Sequence, residues 1–288
     1  MKKILMPTDF SVPAENAAHY ALQLAKVLKA DVILCNAYRV PAEAPMAAQV
    51  AWPLVDSSQI AQEVSGNLDN MVRELSAGAC TTEAGEYCPE LTYESAKGSV
   101  CEVVSALVKK RKIDLVVMGM AGAGSVTQLV LGSNTREMID KADFPLLLVP
   151  YEAAFKKIRK IVFVTDLDED ELEAVTELTH FAASLNAQIV IVHITSRAVK
   201  LEGKLHKEME EFFQSICSRV DYPAIKYEYV WNIDVDNGLD WLAEQKDVDI
   251  IAMAHHAHNL LYKLFIGSHT HKLSRHTKIP LLVFPFAH

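Results

Sequence analysis

KILMPTDFSVPAENAAHYALQLAKVLKADVILCNAY, residues 3–38, lies without a gap over KIVFVTDLDEDELEAVTELTHFAASLNAQIVIVHIT, residues 160–195. In this register Lys3 meets Lys160, Thr8-Asp9 meets Thr165-Asp166, Ala25 meets Ala182 and Leu28 meets Leu185. The same relation returns further on. IDLVVMGM…LVLGSNT…FPLLLVP (113–150) matches VDIIAMAHH…LFIGSHT…IPLLVFP (248–285), with Asp114 on Asp249, Gly132-Ser133 on Gly267-Ser268, and Pro145 and Pro150 on Pro280 and Pro285. A unit of about half the chain is therefore written twice, and a repeat of this kind fixes the architecture before any residue is considered singly. The two copies differ in length because the first carries the extra loop VPAEAPMAAQVAWPLVDSS; its EAPMAAQVAW (43–52) is expected to pack against the neighbouring half. The join falls in YEAAFKKI, at residues 151–158, which assigns one domain to 1–150 and a second to 158–288.

Within the first copy, residues 3–7, 32–37, 91–95, 114–118 and 145–149 are short apolar or β-branched runs, the pattern of strands buried on both faces of a parallel sheet. Helical stretches separate them. SVPAENAAHYALQLAKVLKA opens on Ser11 as N-cap and keeps Ala18, Ala21, Leu22, Ala25 and Leu28 on one face, and SVCEVVSALVKKRK has Ser99 and Glu102 at capping-box spacing. Strands alternating with helices predict an α/β fold, two doubly wound five-stranded parallel sheets of Rossmann-like type. In such a sheet a ligand binds beyond the carboxyl ends of the strands, where the winding reverses. The first strand empties into Pro7-Thr8-Asp9 and the fourth into Met118-Gly119. If these strands are neighbours, both ends share one crevice.

The fourth strand is followed by Gly122 and Gly124, then by Gly132-Ser133-Asn134-Thr135 at the head of a helix. Glycines let main chain approach a ligand with no Cβ in the way. A helix start offers amides without an intrahelical partner and the positive end of the dipole. The hydroxyls of Ser133 and Thr135 and the amide of Asn134 add donors, so the segment makes an anion seat without a lysine. A plain mobile turn with a serine cap is the competing reading. Neither a P-loop nor a first-strand dinucleotide fingerprint is present.

The spacing Gly119-x2-Gly122-x9-Gly132-Ser133, together with PTDFS at the first strand and FPLLLVP at the last, resembles the universal stress protein family over both halves, in its tandem form. The resemblance implies a fold like that of the adenine nucleotide alpha hydrolases, two halves packed as an internal pseudo-dimer through their last strands, and an adenine-nucleotide ligand. That ligand would be ATP, or ADP or AMP, with Mg²⁺ carried on the phosphates. It further implies that Pro7, Thr8, Asp9 and Ala37 lie beside the adenosine. Met118, Gly119 and Gly122 would pass close to ribose and phosphates, while Gly132, Ser133, Asn134 and Thr135 would donate to the phosphates. The function implied is a stress-response sensor or regulator with at most slow ATP hydrolysis, since no general base or arginine finger stands near the loop and Arg136 is the nearest cation. The alternative, from a different class, is an interaction scaffold that binds no nucleotide.

The second half reads Ala254-x2-Ala257-x9-Gly267-Ser268 at the matching positions, and Val164 replaces Pro7. Both early glycines are lost, and the acidic LDEDELEAVTE (167–177) repels phosphate, so weak or absent binding is expected there. His255, His256, His258, His269, His271 and His276 fall within 22 residues. Neutral imidazole is a zinc ligand, yet no cysteine or supporting glutamate accompanies them, so surface histidines are the simpler reading.

The remaining features set bounds. With 50% hydrophobic and 23% charged residues the 288-residue chain has globular composition. A net charge of −9 excludes a nucleic-acid-coating surface. Five cysteines with no Cys-x-x-Cys pair predict reduced thiols. MKKILMPTDF breaks off at Pro7, too soon for a signal peptide, and no run approaches a membrane span of about 18 apolar residues. A cytoplasmic protein with no membrane partner, and with homodimerisation left open, is the expectation.

Overall fold

The computed structural model describes residues 2–39, 57–80, 87–120, 132–195, 204–231, 247–255 and 279–285. The extra loop of the first half, Gly122 and Gly124, and the histidines beyond His255 lie outside these residues. The first half runs β1 (Lys2–Pro7), α1 (Val12–Leu28), β2 (Ala30–Tyr38), α2 (Ser57–Ala77), β3 (Leu91–Lys97), α3 (Val100–Arg111), β4 (Leu115–Met120), α4 (Ser133–Lys141) and β5 (Leu146–Pro150). The second runs β6 (Lys160–Thr165), α5 (Glu171–Leu185), β7 (Gln188–Thr195), α6 (Lys204–Arg219), β8 (Ile225–Trp231), β9 (Ile250–Ala254) and β10 (Leu281–Phe284). The strand runs read from periodicity all appear.

The strands form one ten-stranded sheet in the order β3-β2-β1-β4-β5-β10-β9-β6-β7-β8. Every pairing among the described strands is parallel except β5 with β10, where Leu147 faces Leu282 antiparallel. That pairing is the seam between the halves, as expected of an internal pseudo-dimer. Side chains alternate across the pleat: Ile4 and Met6 enter one hydrophobic layer, Leu5 the other. The first layer takes α1, α2, α5 and α6, the second α3 and α4, and each layer contains residues from both halves.

The repeat holds down to single dihedral angles. Phe10 and Leu167 have φ of 62° and 66°, and Lys29 and Asn186 both have 52°. The main-chain N–H of Lys3 donates to Asp114 Oδ2 at 2.8 Å, and that of Lys160 to Asp249 Oδ2 at 3.0 Å. Such agreement follows when the same residue classes solve the same turn twice.

Residues 151–159 between the halves carry no strand or helix, but they are held from both sides. Asn16 of α1 donates through Nδ2 to the carbonyls of Pro150 and Ala153, each at 3.1 Å. Phe155 packs edge-on against Tyr20 at 5.1 Å between ring centroids. Lys156 pairs with Asp249 at 2.9 Å.

The expectation of five reduced cysteines fails at one pair. Cys80 and Cys88 are joined, with their Cα atoms 5.2 Å apart, while Cys35, Cys101 and Cys217 are free. A seven-residue gap in sequence carries no information on that distance; the close approach of the end of α2 to the start of β3 sets it.

Candidate functional site

β1 lies beside β4, with Ile4 facing Leu115 and Leu5 facing Val116, so the strand order reverses at this pair. The two unusual strand ends therefore meet in one crevice. The end of β1 is tightly fixed. Thr8 N–H donates to the Cys35 carbonyl and Asn36 Nδ2 donates to the Thr8 carbonyl, both at 2.8 Å. Thr8 Oγ1 accepts from Phe10 N–H at 3.0 Å, which stabilises the left-handed turn at Phe10. Asp9 is exposed, and its Oδ1 accepts from both the N–H and the hydroxyl of Ser11. Here the sequence reading is corrected in detail. Ser11 has the extended conformation of an N-cap, but its hydroxyl turns back to Asp9 and makes no cap bond to α1. At Ser99 no such competitor exists, and the full capping box with Glu102 forms.

A cavity of about 280 Å³ opens at this point. Pro7, Thr8, Asp9, Ala37, Met118, Gly119, Gly132, Ser133, Asn134 and Thr135 all line it. Of the residues the resemblance assigns to the nucleotide, Gly122 alone lies outside the described ones. The volume sits near the lower end of the ~300–1,000 Å³ usual for small-molecule sites. Also on the wall, and missed from sequence, are Ser11, Pro13 and Ala14 at the head of α1, Cys35 and Asn36 in β2, and Val100 and Val104 on α3. The i, i+4 spacing of the two valines was a usable signal, since one helical face must look at the sheet end.

The two described glycines of the site earn their places differently. A Cβ on Gly119 would sit 2.5 Å from the Pro13 carbonyl oxygen, so this glycine exists to let α1 start against β4. That modifies the expectation that Gly119 serves close passage of a ligand. Gly132, the N-cap of α4, has φ −57° and ψ 153°, which any residue adopts, and a Cβ there would meet nothing nearer than Thr135 Oγ1 at 3.9 Å. Neither backbone strain nor crowding within the described chain requires glycine at this position. It leaves the first amides of α4 uncovered at the cavity wall.

Among the described residues lining the cavity there is no Lys, Arg or His, and Asp9 is the sole carboxylate. The Cys35 thiol, also on the wall, is pushed up to about 12, first by burial and then by Glu94, and stays neutral. Any negative charge taken up here would face main-chain amides and the α4 dipole rather than side-chain cations.

The same place in the second half is built otherwise. Thr165 repeats Thr8, its Oγ1 accepting from Leu167 N–H at 2.9 Å. His193 stands in the register of Asn36, and its Nδ1 meets the Thr165 carbonyl at 2.8 Å. A carbonyl only accepts, so Nδ1 carries the proton. The position of Ala14 is taken by Glu171, which is 2% exposed. Its carboxylate accepts from the Thr165 hydroxyl and from Asp166 N–H. Burial lifts this carboxyl to about 7, against the opposing pull of those two hydrogen bonds. A buried acidic side chain thus occupies the strand-end position that an alanine leaves open in the first half. Of the histidine cluster only His255 is described; among the described residues no group of three His, Cys, Asp or Glu is placed to hold a metal. No described helix is long and apolar enough to cross a membrane.

Fold and crevice together define the class: a tandem, doubly wound α/β protein with a cavity at the switch point of its first half. The profile of the Universal stress protein family matches residues 1–150 and again 157–285. The chain belongs to that family, with two family units in one polypeptide. A universal stress protein of Methanocaldococcus jannaschii is 28% identical over 148 residues, which is 51% of this chain and 81% of that protein. Among solved structures, a universal stress protein from Archaeoglobus fulgidus superposes with a TM-score of 0.68 at 12% identity, covering 98% of each chain. A functionally unknown protein from Pseudomonas aeruginosa gives 0.53 at 14% identity, over 99% of this chain and 93% of that one. At those identities the structural likeness concerns the fold.

Proposed function

We propose that this chain is a cytoplasmic stress-response sensor or regulator that binds one adenine nucleotide, ATP or its hydrolysis products ADP and AMP, in the cavity of residues 1–150. The second unit, 158–288, is a partner half with no nucleotide of its own. The observation that carries the reading is Gly132: a glycine that the described protein does not need, at the head of a helix, on the wall of a cavity at the sheet's switch point. It fits a phosphate chain lying across the amides of Ser133, Asn134 and Thr135. Asp9, Ala37 and Pro7 bound the side where a nucleoside would rest. Mg²⁺ would ride on the phosphates, since the cavity wall offers Asp9 alone as a carboxylate. Fast hydrolysis is not part of the proposal. Phosphoryl transfer needs an oriented water and compensating cations, and the described wall supplies neither a cationic side chain nor a second acid.

In the second half three features act together against phosphate. Ala254 replaces Gly119, the helix start is displaced, and Glu171 places a carboxylate where an anion would have to approach. A single site per chain follows.

Denaturing the purified protein and analysing the supernatant by mass spectrometry should release an adenine nucleotide, or calorimetry with ATP-Mg²⁺ should show one site per chain. Gly132→Val provides the discriminating variant. Because the conformation of Gly132 and the space among the described residues accept a side chain, the variant should fold like the parent yet bind at least about tenfold more weakly. Equal binding by parent and variant would remove the seat from consideration, and no binding by either would favour the scaffold reading.

A further inference from the structure

The five cysteines sort into a buried pair, a bonded pair and the free, exposed Cys217. Cys35 and Cys101 are buried, and burial, the largest cause in each case, raises both thiols above their ordinary range. Cys35 is 1% and Cys101 6% exposed, and neither ionises readily. Cys80 and Cys88 are both exposed and are bonded to each other, with a Cα separation inside the roughly 4.4–6.8 Å that a disulfide spans. Their place in the fold is specific. Cys80 follows the end of α2 at Ala77 by three residues, and Cys88 precedes the start of β3 at Leu91 by three. The bond therefore ties a helix end to the entry of the outermost strand of the first half.

That strand needs an anchor. Among the described strands β3 is at the edge of the ten-stranded sheet, with β2 its one partner, and its residues are intermediate or exposed throughout. Its entry is held by Asp31 of β2, a buried carboxylate that accepts from the Tyr87 hydroxyl at 2.7 Å and from Glu90 N–H at 3.1 Å. Val32 N–H donates in turn to the Glu90 carbonyl at 2.9 Å. Tyr87 and Glu90 flank Cys88 on either side, so the bond and the Asp31 contacts hold the same few residues.

We propose that Cys80 and Cys88 are a reversible dithiol–disulfide pair, a redox modification site through which low-molecular-weight disulfides tighten or release the β3 edge of the sheet. In the forward direction the thiolate of one cysteine attacks a sulfur of glutathione disulfide. A mixed disulfide forms and one glutathione leaves as thiolate. The second cysteine thiolate then attacks the protein sulfur of that mixed disulfide, closing the Cys80–Cys88 bond and expelling the second glutathione. Two protein thiols are oxidised, one glutathione disulfide is reduced to two thiols, and the two protons pass to the departing thiolates. Reduction runs the same steps backwards. Both cysteines are exposed residues, which leaves the bond open to attack from solution, and an exposed disulfide belongs to the labile class. In the reduced state the entry of β3 keeps the Asp31 contacts and the Val32–Glu90 bond but loses its covalent tie to the end of α2, and an edge strand held less firmly opens more often.

The test uses the full-length protein equilibrated across a series of reduced-to-oxidised glutathione ratios, quenched in acid and alkylated. Peptide mass spectrometry should show the pair passing from doubly alkylated to bonded, with loss of two hydrogens, as the ratio becomes oxidising, and returning when it is reversed. Cys35 and Cys101 should take up alkylating agent only after denaturation. Hydrogen exchange of the β3 amides, Leu91–Lys97, should be at least about threefold slower in the oxidised protein. That difference should vanish in the Cys80→Ser, Cys88→Ser double variant. Three outcomes overturn the proposal: a pair that stays reduced while Cys217 collects the glutathione, a bond that no ratio reduces, or β3 exchange that ignores the redox state.

Discussion

Glu171 is one acid in the run Asp168, Glu169, Asp170, Glu171, Glu173, and nothing in that run marks it from its neighbours. The sequence suggests a charge set complementary to a helix dipole and hostile to phosphate. In the structure the phase of α5 sends this one carboxyl inward to Thr165 and Asp166, where burial lifts it to about 7. The sign of its effect on stability follows from linkage. The folded protein holds the proton more tightly than the unfolded chain, whose carboxyl titrates near its ordinary 4.5. As pH rises from the unfolded pKa towards the folded one, the unfolded state ionises first and gains relative to the folded state. Stability from this group is thus lost between about pH 4.5 and 7, and the loss is complete above that window. Between pH 5 and pH 8 the parent protein should lose roughly 2–3 kcal/mol more unfolding free energy than Glu171→Gln, which has nearly the same shape and no charge. Urea titrations at the two pH values measure this double difference, and identical pH dependence in the two proteins would show the carboxyl to be ionised without penalty. Asp9 and Gly132 were legible because they stand alone at strand and helix ends. Glu171 was not, because burial of one acid among five is decided by helix phase.

At the scale of elements, the contact between the head of α1 and the end of β4 shapes the crevice. Pro13 places its carbonyl where a Cβ of residue 119 would lie, so helix and strand approach as closely as backbone allows. The second half keeps the strand but carries Ala254 at this position. There α5 begins at Glu171, two residues later than α1 does in the repeat register, because Val12 corresponds to Glu169. The loss of the glycine and the retreat of the helix are two sides of one change. Gly119→Ala in the first half should therefore cost on the order of 2 kcal/mol, through overpacking, and should weaken the proposed nucleotide binding as the head of α1 is displaced. Unfolding and calorimetry on the same variant report both effects. Unchanged stability would mean that the start of α1 yields freely. The strands and most helices could be read from periodicity because buried parallel strands and amphipathic helices have unlike signatures. The contact of Pro13 with Gly119 could not, since it joins residues more than a hundred positions apart and leaves no local pattern.

For the whole molecule, the repeat announced two like units, and the seam between β5 and β10 shows why they stay together. β5 is buried along its entire length, and the hydrogen-bonding edge it offers to β10 is apolar on both faces of the sheet. Both hydrophobic layers run across this seam, and the segment 151–159 is fastened to α1 by Asn16 and to Asp249, just before β9, by its pairing with Lys156. A half expressed alone would expose that edge together with the cut margins of two layers, an arrangement that demands another strand. The seam pairs the fifth strand of one unit with the fifth strand of the other, antiparallel, around an approximate two-fold relation. The same surface on a second copy of the first half is therefore self-complementary in the manner of an isologous contact. Residues 1–158 should consequently sediment as a dimer at micromolar concentration, with β5 paired to its own copy, whereas the full chain has already satisfied that edge internally. Sedimentation equilibrium decides the matter. A well-folded, monomeric fragment would mean that the β5 edge is protected by something other than β10, and that the seam is a consequence of tethering rather than the bond that holds the halves together.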